Sequence, residues 1–255
     1  HTPLASGVRA RARAKLAGLQ FQRPRSTLID GRGVRHSPWT ADVAALTTAR
    51  IGLGFQFQAV ASAAPFLAPD LGLDKVLVYR YDAAAGKLTP HDPPSTAVKA
   101  GSGPRHFAFH PAGKYAYVLN ETRCTVTAFT YDAAAGKLSE MQTVPTVPEV
   151  MPGFSTAEIL AHPSGKFLYS SNRGHDSVVV FAVEQATGTL APVGWTPTQG
   201  RTPRFIGLDP AGAMLYAANQ DSDTIVAFRV DRQSGTLTPT GHVVPVGSPS
   251  TIVFR

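Results

Sequence analysis

The sequence predicts an all-β protein built as a β-propeller, and three observations lead to this prediction. Three stretches of the 255-residue chain, 103–138, 155–190 and 202–237, align almost without gaps. They recur about every fifty residues, and each reads as short apolar strands separated by turns. Each also ends in a Gly-x-Leu hairpin signal. A period of this length made of strands is typical of a propeller with one four-stranded blade per repeat.

A Pro-x-Gly turn anchors each repeat, as HPAG at 110–113, HPSG at 162–165 and DPAG at 209–212. Ten residues after each anchor stands an asparagine: Asn120, Asn172 and Asn219. His110 and His162 occupy the anchor position that Asp209 occupies in the third copy. We therefore interpret the two histidines as turn residues rather than as ligands.

The same spacing sets the predicted bounds of the propeller, which occupies 65–255. We expect a partial blade at 66–99, full blades at 103–148, 154–198 and 202–245, and a closing strand at 248–255. About four blades make an apparently incomplete propeller, whose open blade edges are compatible with self-association.

Residues 1–64 carry none of these landmarks and are rich in Ala and Arg. The sequence leaves three interpretations of this irregular N-terminal extension: a divergent segment, a poorly ordered segment, or the product of a reading-frame shift in a GC-rich gene.

Charge and composition narrow the function classes. Residues 1–70 hold nine Lys/Arg against three Asp/Glu, whereas residues 71–255 hold fifteen against fourteen. The repeats therefore lack the basic surface that a nucleic-acid partner requires. No run of 18 apolar residues and no signal-peptide core occurs, so we expect no membrane span. The single Cys124 suits a reducing compartment, and we expect a cytoplasmic protein.

The candidate site lies at one mouth of the propeller channel. The first two strands of a blade form an antiparallel hairpin, so the start of the first strand and the end of the second lie at the same end. Polar residues that differ between copies occupy these positions. The catalytic candidates are His106, Glu158 and Arg173. The substrate-binding candidates are Arg204, Arg105, Asn120, Glu121, Asn172, Asn219 and Gln220. The alternatives are an ion-pair network around the channel and, for the three asparagines, loop capping.

Motifs for metal or cofactor binding are absent from the sequence. It contains no C-x-x-C, G-x-S-x-G or Gly-rich phosphate loop. Its one H-x-x-x-H spacing, His106 and His110, falls on a predicted strand, where the two histidines lie at different heights of the blade. We expect no cofactor and no metal, and chemistry performed by carboxylate, imidazole and guanidinium groups.

Several segments, among them GPRHFAFHP, NETRCTVTAF, SNRGHDS, TPRFIGLDPAG and ANQDSDTIVAF, resemble the lactonase family of seven-bladed β-propellers. That family includes the cycloisomerase-type 6-phosphogluconolactonases and the fungal 3-carboxy-cis,cis-muconate lactonising enzymes. The resemblance covers about 66–255. It implies an active site at the channel mouth, where His106, Glu158, Arg173 and Arg204 match residues proposed for catalysis or substrate binding.

The resemblance implies a hydrolase acting on a small anionic lactone such as 6-phospho-D-glucono-1,5-lactone. In that reaction Glu158 or His106 would serve as base, and one of Arg173 and Arg204 would bind the oxyanion or a carboxylate while the other holds the phosphate. The alternatives are ring closure of a carboxymuconate and a non-catalytic propeller remnant acting as a binding scaffold.

Overall fold

The computed structural model describes residues 65–82 and 85–254, together with the backbone of four short strands upstream. These strands form two antiparallel pairs. They are β1 (Leu28–Ile29) with β2 (Arg35–His36), and β3 (Ala49–Ile51) with β4 (Phe55–Phe57). The rest of the predicted extension at 1–64 lies outside the described residues.

Four consecutive antiparallel sheets follow, and in each the strands pair in chain order. Blade 1 contains β5 (Phe66–Asp70), β6 (Lys75–Asp82) and β7 (Lys87–Ala97). Blade 2 contains β8 (Pro104–Phe109), β9 (Tyr115–Asn120), β10 (Thr125–Asp132) and β11 (Lys137–Pro145). Blade 3 contains β12 (Ser155–Ala161), β13 (Phe167–Arg173), β14 (Ser177–Val183) and β15 (Leu190–Pro197). Blade 4 contains β16 (Pro203–Leu208), β17 (Met214–Asn219), β18 (Thr224–Val230) and β19 (Leu237–Pro245). The predicted all-β propeller architecture is confirmed.

The core lies between the blades as well as within them. The second strand of blade 2, β9, is buried along its whole length, whereas the outer strand β11 is largely exposed. One apolar cluster joins Leu67 and Val78 of blade 1 to Phe107 of blade 2, and further clusters join blade 2 to blade 3 and blade 3 to blade 4. A strand with both faces buried is built mainly of apolar residues, as in YAYVL before Asn120 and MLYAA before Asn219. Before Asn172 the buried run also includes Ser170 and Ser171.

Tyrosines of one blade bond to the Gly-x-Leu hairpin of the next. The hydroxyl of Tyr117 donates to the carbonyl of Gly188 at 3.1 Å, and Tyr169 donates to Gly235 at 2.9 Å. Gly188 has φ +73°, and a Cβ there would collide with the ring of Tyr115. The repeated glycine therefore serves both the turn and the contact between blades.

The anchor histidines make a second set of ties between blades. His110 Nε2 lies 3.0 Å from the carbonyl oxygen of Gly165, and His162 Nε2 lies 2.9 Å from that of Gly212. Their Nδ1 atoms accept bonds from the backbone within the turn. With Nδ1 accepting, Nε2 carries the proton and donates. Both histidines are turn residues, as the sequence indicated.

An aspartate with positive φ fastens the connection between successive blades. Asp74 accepts bonds from the backbone N–H groups of Gly101 and Gly103, and Asp176 accepts one from Thr202 at 2.8 Å. Asp223 likewise accepts from Ser248. The equivalent residue in blade 2 is Cys124, which is buried with φ +49°. The connection that follows blade 2, 146–154, is also the longest of those between the described blades.

The predicted closing strand at 248–255 has no strand structure up to Phe254, because none of the described strands pairs with it. The ring of Phe254 packs 5.5 Å from that of Tyr216, so this segment lies against blade 4. The only helical segment of the described residues is a short turn at Gln220–Ser222. No helix in that part of the chain is long and apolar enough to cross a membrane.

Candidate active site

The first strand of each complete blade carries a β-bulge at the same position. In blade 2 the pairing passes from Pro104↔Asn120 to His106↔Leu119, which leaves Arg105 unpaired. The same irregularity occurs after Thr156 in blade 3 and after Pro203 in blade 4. A bulge bends its strand and redirects the side chains that it contains. Arg105, Glu158 and Arg204 all lie at these bulges.

A histidine and a glutamate from neighbouring blades form a buried pair. His106 Nδ1 lies 2.8 Å from Glu158 Oε1, and Glu158 is 1% exposed. The same carboxylate oxygen also accepts a bond from the backbone N–H of Ile159 at 3.2 Å. An imidazole that donates through Nδ1 keeps the basic lone pair on Nε2. The pair can therefore act as a base oriented by a carboxylate.

Glu121 bridges two arginines. Its Oε2 accepts a bond from Arg105 Nη1 at 2.9 Å, and its Oε1 accepts one from Arg173 Nη2 at 2.6 Å. Burial opposes ionisation of this carboxyl, but the bond from Arg173 and the charges of both arginines outweigh it and hold the pKa of Glu121 below its usual value. Glu121 is therefore ionised at neutral pH, with both oxygens engaged.

Backbone carbonyls of blade 3 hold the same two guanidinium groups. Arg105 Nε donates to the carbonyl of Ala157 at 2.9 Å, and Arg173 Nη2 donates to that of Thr156 at 2.8 Å. The strand that carries Glu158 thus fixes both cations beside the His106–Glu158 pair.

Arg204 belongs to the same cluster but is not held in this way. Burial, followed by the charges of Arg105 and Arg173, lowers the pKa of its guanidinium. The side chain is half-buried, and among the described residues it has neither a hydrogen bond nor an ion pair. Arg204 is thus a guanidinium near two others, with its donors available.

The three asparagines are fully buried. Asn120 Nδ2 donates to the hydroxyls of Thr125 and Thr127, whereas the amides of Asn172 and Asn219 donate to the carbonyls of Thr146 and Thr198. These bonds tie the end of the second strand to neighbouring chain, as loop capping requires. Substrate contact for Asn120, Asn172 and Asn219 stays a prediction.

The structure therefore brings together His106, Glu158, Arg173, Arg204, Arg105 and Glu121 from three blades. Gln220 lies half-buried directly after Asn219, and its backbone N–H donates to Thr202. The sequence analysis missed the carbonyls of Thr156 and Ala157, since a backbone acceptor leaves no signal in residue type. It also missed Ser171, whose hydroxyl accepts a bond from the N–H of Glu158.

A cavity of about 200 Å³ lies between blades 3 and 4. Its lining is mainly apolar and includes Leu160, Phe205 and Phe254. None of the polar candidates lines it. Among the residues that the structure describes, no group of three or more His, Cys, Asp or Glu side chains could hold a metal ion.

The family model described as "Lactonase, 7-bladed beta-propeller" matches residues 57–254, which is most of the chain. The chain belongs to this family. The resemblance carried by the sequence motifs is therefore confirmed.

Individual relatives agree with this assignment. The chain is 42% identical to a 6-phosphogluconolactonase of Bacillus subtilis over 139 residues, which cover 54% of this chain and 39% of the relative. It is 37% identical to a 6-phosphogluconolactonase of Serratia proteamaculans over 144 residues, 56% of this chain and 43% of the relative. The chain spans about two fifths of the length of these curated relatives.

Solved structures also resemble this one. The periplasmic gluconolactonase PpgL of Pseudomonas aeruginosa matches with a TM-score of 0.69 and 38% identity, over 74% of this chain and 53% of that one. A protein from Lactobacillus plantarum matches with a TM-score of 0.69 and 33% identity, over 72% and 53%.

Proposed function

We propose that this protein hydrolyses a sugar lactone, of the kind represented by 6-phospho-D-glucono-1,5-lactone, to the open-chain acid. The observation that carries the proposal is the His106–Glu158 pair beside a cluster of three arginines. The names of the relatives, 6-phosphogluconolactonase and gluconolactonase, support the same class of reaction.

In this proposal His106 is the base and Glu158 orients it. Glu158 is the more deeply buried of the two, so His106 is nearer the open side of the pair. His106 Nε2 takes a proton from water as the water oxygen attacks the lactone carbonyl carbon. The bond to the ring oxygen then breaks, and the imidazolium returns the proton to that oxygen. Glu158 stabilises the imidazolium between the two steps.

In this proposal Arg173 and Arg204 bind two different anionic groups, the oxyanion of the reaction and the phosphate of the substrate. Arg173 is fixed by Glu121 and by the carbonyl of Thr156, so it suits a preorganised donor to the oxyanion that forms at the carbonyl. Arg204 has its donors available, so it suits a bidentate contact with the phosphate.

Substitution of the pair tests the reaction. Lactone hydrolysis is followed by coupled oxidation of the released 6-phosphogluconate, with spontaneous hydrolysis subtracted. His106→Gln and Glu158→Gln should each lower kcat/KM by about 100-fold or more, because each removes the oriented base. The exposed His242→Gln is the matched control. Normal rates in both variants, or activity on carboxymuconate in an ultraviolet assay without lactone hydrolysis, would contradict the proposal.

Substitution of Arg204 tests the phosphate assignment. Arg204→Gln should raise KM about tenfold or more for the phosphorylated lactone, because one charged bidentate contact is lost, and should change KM much less for gluconolactone. Arg229→Gln, an exposed arginine of the same blade, is the control. Equal changes in KM for the two substrates would show that Arg204 does not bind the phosphate.

The cytoplasmic location and self-association through blade edges stay predictions. One structural relative is described as periplasmic. Cell fractionation and sedimentation of the purified chain test the two predictions separately.

A further inference from the structure

The repeat places the same pair of positions in blades 2 and 4. Arg105 and Glu121 stand sixteen residues apart in blade 2, and Arg204 and Gln220 stand sixteen apart in blade 4. In both blades the arginine lies at the bulge of the first strand, and the second residue directly follows the blade asparagine. The strand registers correspond, and the side chains at 121 and 220 differ.

The two arginines differ in how they are held. In blade 2 the guanidinium of Arg105 pairs with Glu121 at 2.9 Å. In blade 4 the corresponding side chain is Gln220, which has nearly the same shape but carries no charge. Arg204 has no ion pair or hydrogen bond within the described part of the chain. The neutral amide at 220 therefore leaves the blade 4 arginine open.

We infer that the residue after the blade asparagine, Glu121 in blade 2 and Gln220 in blade 4, determines which bulge arginine can bind an oxyanion. Glu121 occupies the guanidinium donors of Arg105, whereas Gln220 leaves the guanidinium donors of Arg204 available to an anion. These two residues are specificity-determining and act through the arginines. The identity of the oxyanion as a substrate phosphate rests on the proposed function.

The charges of the cluster explain why this arrangement selects one anion position. Arg105, Arg173 and Arg204 interact electrostatically with Glu121, and both oxygens of Glu121 are engaged by arginines. A carboxylate between two guanidinium groups reduces the attraction of both for a third group. Arg204, which has no carboxylate partner among the described residues, then offers its donors to an incoming anion.

Isosteric substitutions test the inference in opposite directions. Binding of inorganic phosphate to the full chain is measured by titration calorimetry at fixed ionic strength. Gln220→Glu should weaken phosphate binding about tenfold or more, because it gives Arg204 the partner that Arg105 has. Glu121→Gln should strengthen it about threefold or more, because it releases two cations. The double variant should bind phosphate with nearly the original affinity, now through Arg105.

The controls change charge by the same amount away from the cluster. Glu149 is an exposed residue of the connection 146–154, and Gln233 is an exposed residue of a hairpin in blade 4; the controls are Glu149→Gln and Gln233→Glu. Both should change phosphate affinity less than twofold, because screening weakens charges between exposed sites. A second comparison, between Arg204→Gln and Arg105→Gln, leaves the residues at positions 121 and 220 unchanged. The first should weaken phosphate binding at least about tenfold and the second less than threefold.

Three results would overturn the inference. They are unchanged phosphate affinity in Gln220→Glu, weaker phosphate binding in Glu121→Gln, and equal losses in the two arginine variants. Absence of phosphate binding by the unsubstituted chain at millimolar concentration would also overturn it. Because the measurement needs no turnover, a chain that binds phosphate as expected but hydrolyses no lactone would refute the proposed function alone.

Discussion

Glu121 is the residue on which the arginine cluster depends. It accepts bonds from two guanidinium groups of different blades, and its backbone carbonyl accepts a bond from the N–H of Thr156 at 3.2 Å. Its side chain is 19% exposed, so these interactions are only partly screened by solvent. Glu121 thus stabilises the fold as well as the site.

The stability of Glu121→Gln should depend on pH. The pKa of Glu121 is lowered in the folded protein, so its carboxylate stabilises the fold fully above the unfolded value of about 4.3 and loses that effect as pH falls through the folded value. We expect the variant to be about 1–2 kcal/mol less stable than the parent at pH 7, and the difference to be smaller at pH 3. Urea unfolding at the two pH values measures this, with Glu149→Gln as control. A gap of the same size at both pH values would show that the ion pairs do not cause it.

Individual site residues were predictable to different degrees. Alignment of the repeats placed His106, Glu158 and Arg173 at one mouth because strand direction follows from the turns. It did not show that Glu121 is engaged by two arginines, since the bulge that redirects Arg105 depends on strand register. Nor did it distinguish buried from exposed asparagines, because loop caps and substrate ligands share the same residue type.

At the scale of single elements, the hairpin between the third and fourth strands of blades 3 and 4 is a contact surface rather than a free turn. The hairpin of blade 3 receives bonds from Tyr115 and Tyr117 at the carbonyls of Ala186 and Gly188. The sequence marked these hairpins by Gly-x-Leu, but a glycine signal alone indicates only a turn. The approach of the tyrosine ring is a tertiary feature and could not be predicted from one blade.

Replacement of the hairpin glycine should separate these two roles. Gly188→Ala should destabilise the fold by about 3 kcal/mol or more, because the new Cβ meets the ring of Tyr115 in addition to the cost of positive φ. Gly241→Ala is the matched control: its φ is +80°, and no described atom lies within 4 Å of the added carbon. We expect about 1 kcal/mol there. Thermal or urea unfolding gives both values, and similar losses would rule out a contact role for Gly188.

At the scale of the whole molecule, the second strand of blades 2, 3 and 4 is more buried than the outermost strand of the same blade. The strands β9 and β13 are almost wholly buried, whereas β15 and β19 are mostly exposed. The apolar clusters span neighbouring blades, so the inner strands of successive blades share one continuous core.

Hydrogen exchange should follow this gradient. Amides of β9, β13 and β17 should be the slowest to exchange, because they open only when two neighbouring blades separate, and amides of β7, β11, β15 and β19 should exchange earlier. Exchange measured by mass spectrometry on peptides of each strand tests this. Equal protection of inner and outer strands would indicate that each blade opens as a single unit.

The blade architecture was largely readable from the repeat, since an internal alignment supplies landmarks that one copy lacks. The connection 146–154 and the replacement of the clamping aspartate by Cys124 were not predicted. The aspartates act through positive φ and long-range backbone contacts, neither of which alters hydrophobic periodicity.

The tyrosine and histidine ties all point the same way along the chain: the donor stands in the earlier blade and the acceptor is backbone of the later one. During synthesis on the ribosome, each finished blade would therefore present unsatisfied donors until its successor emerges. The nascent chain therefore forms its hydrogen bonds between blades in order, from the amino-terminal side onward. A pause in translation within a blade would leave the hydroxyl and imidazole donors of the preceding blade exposed until synthesis resumes.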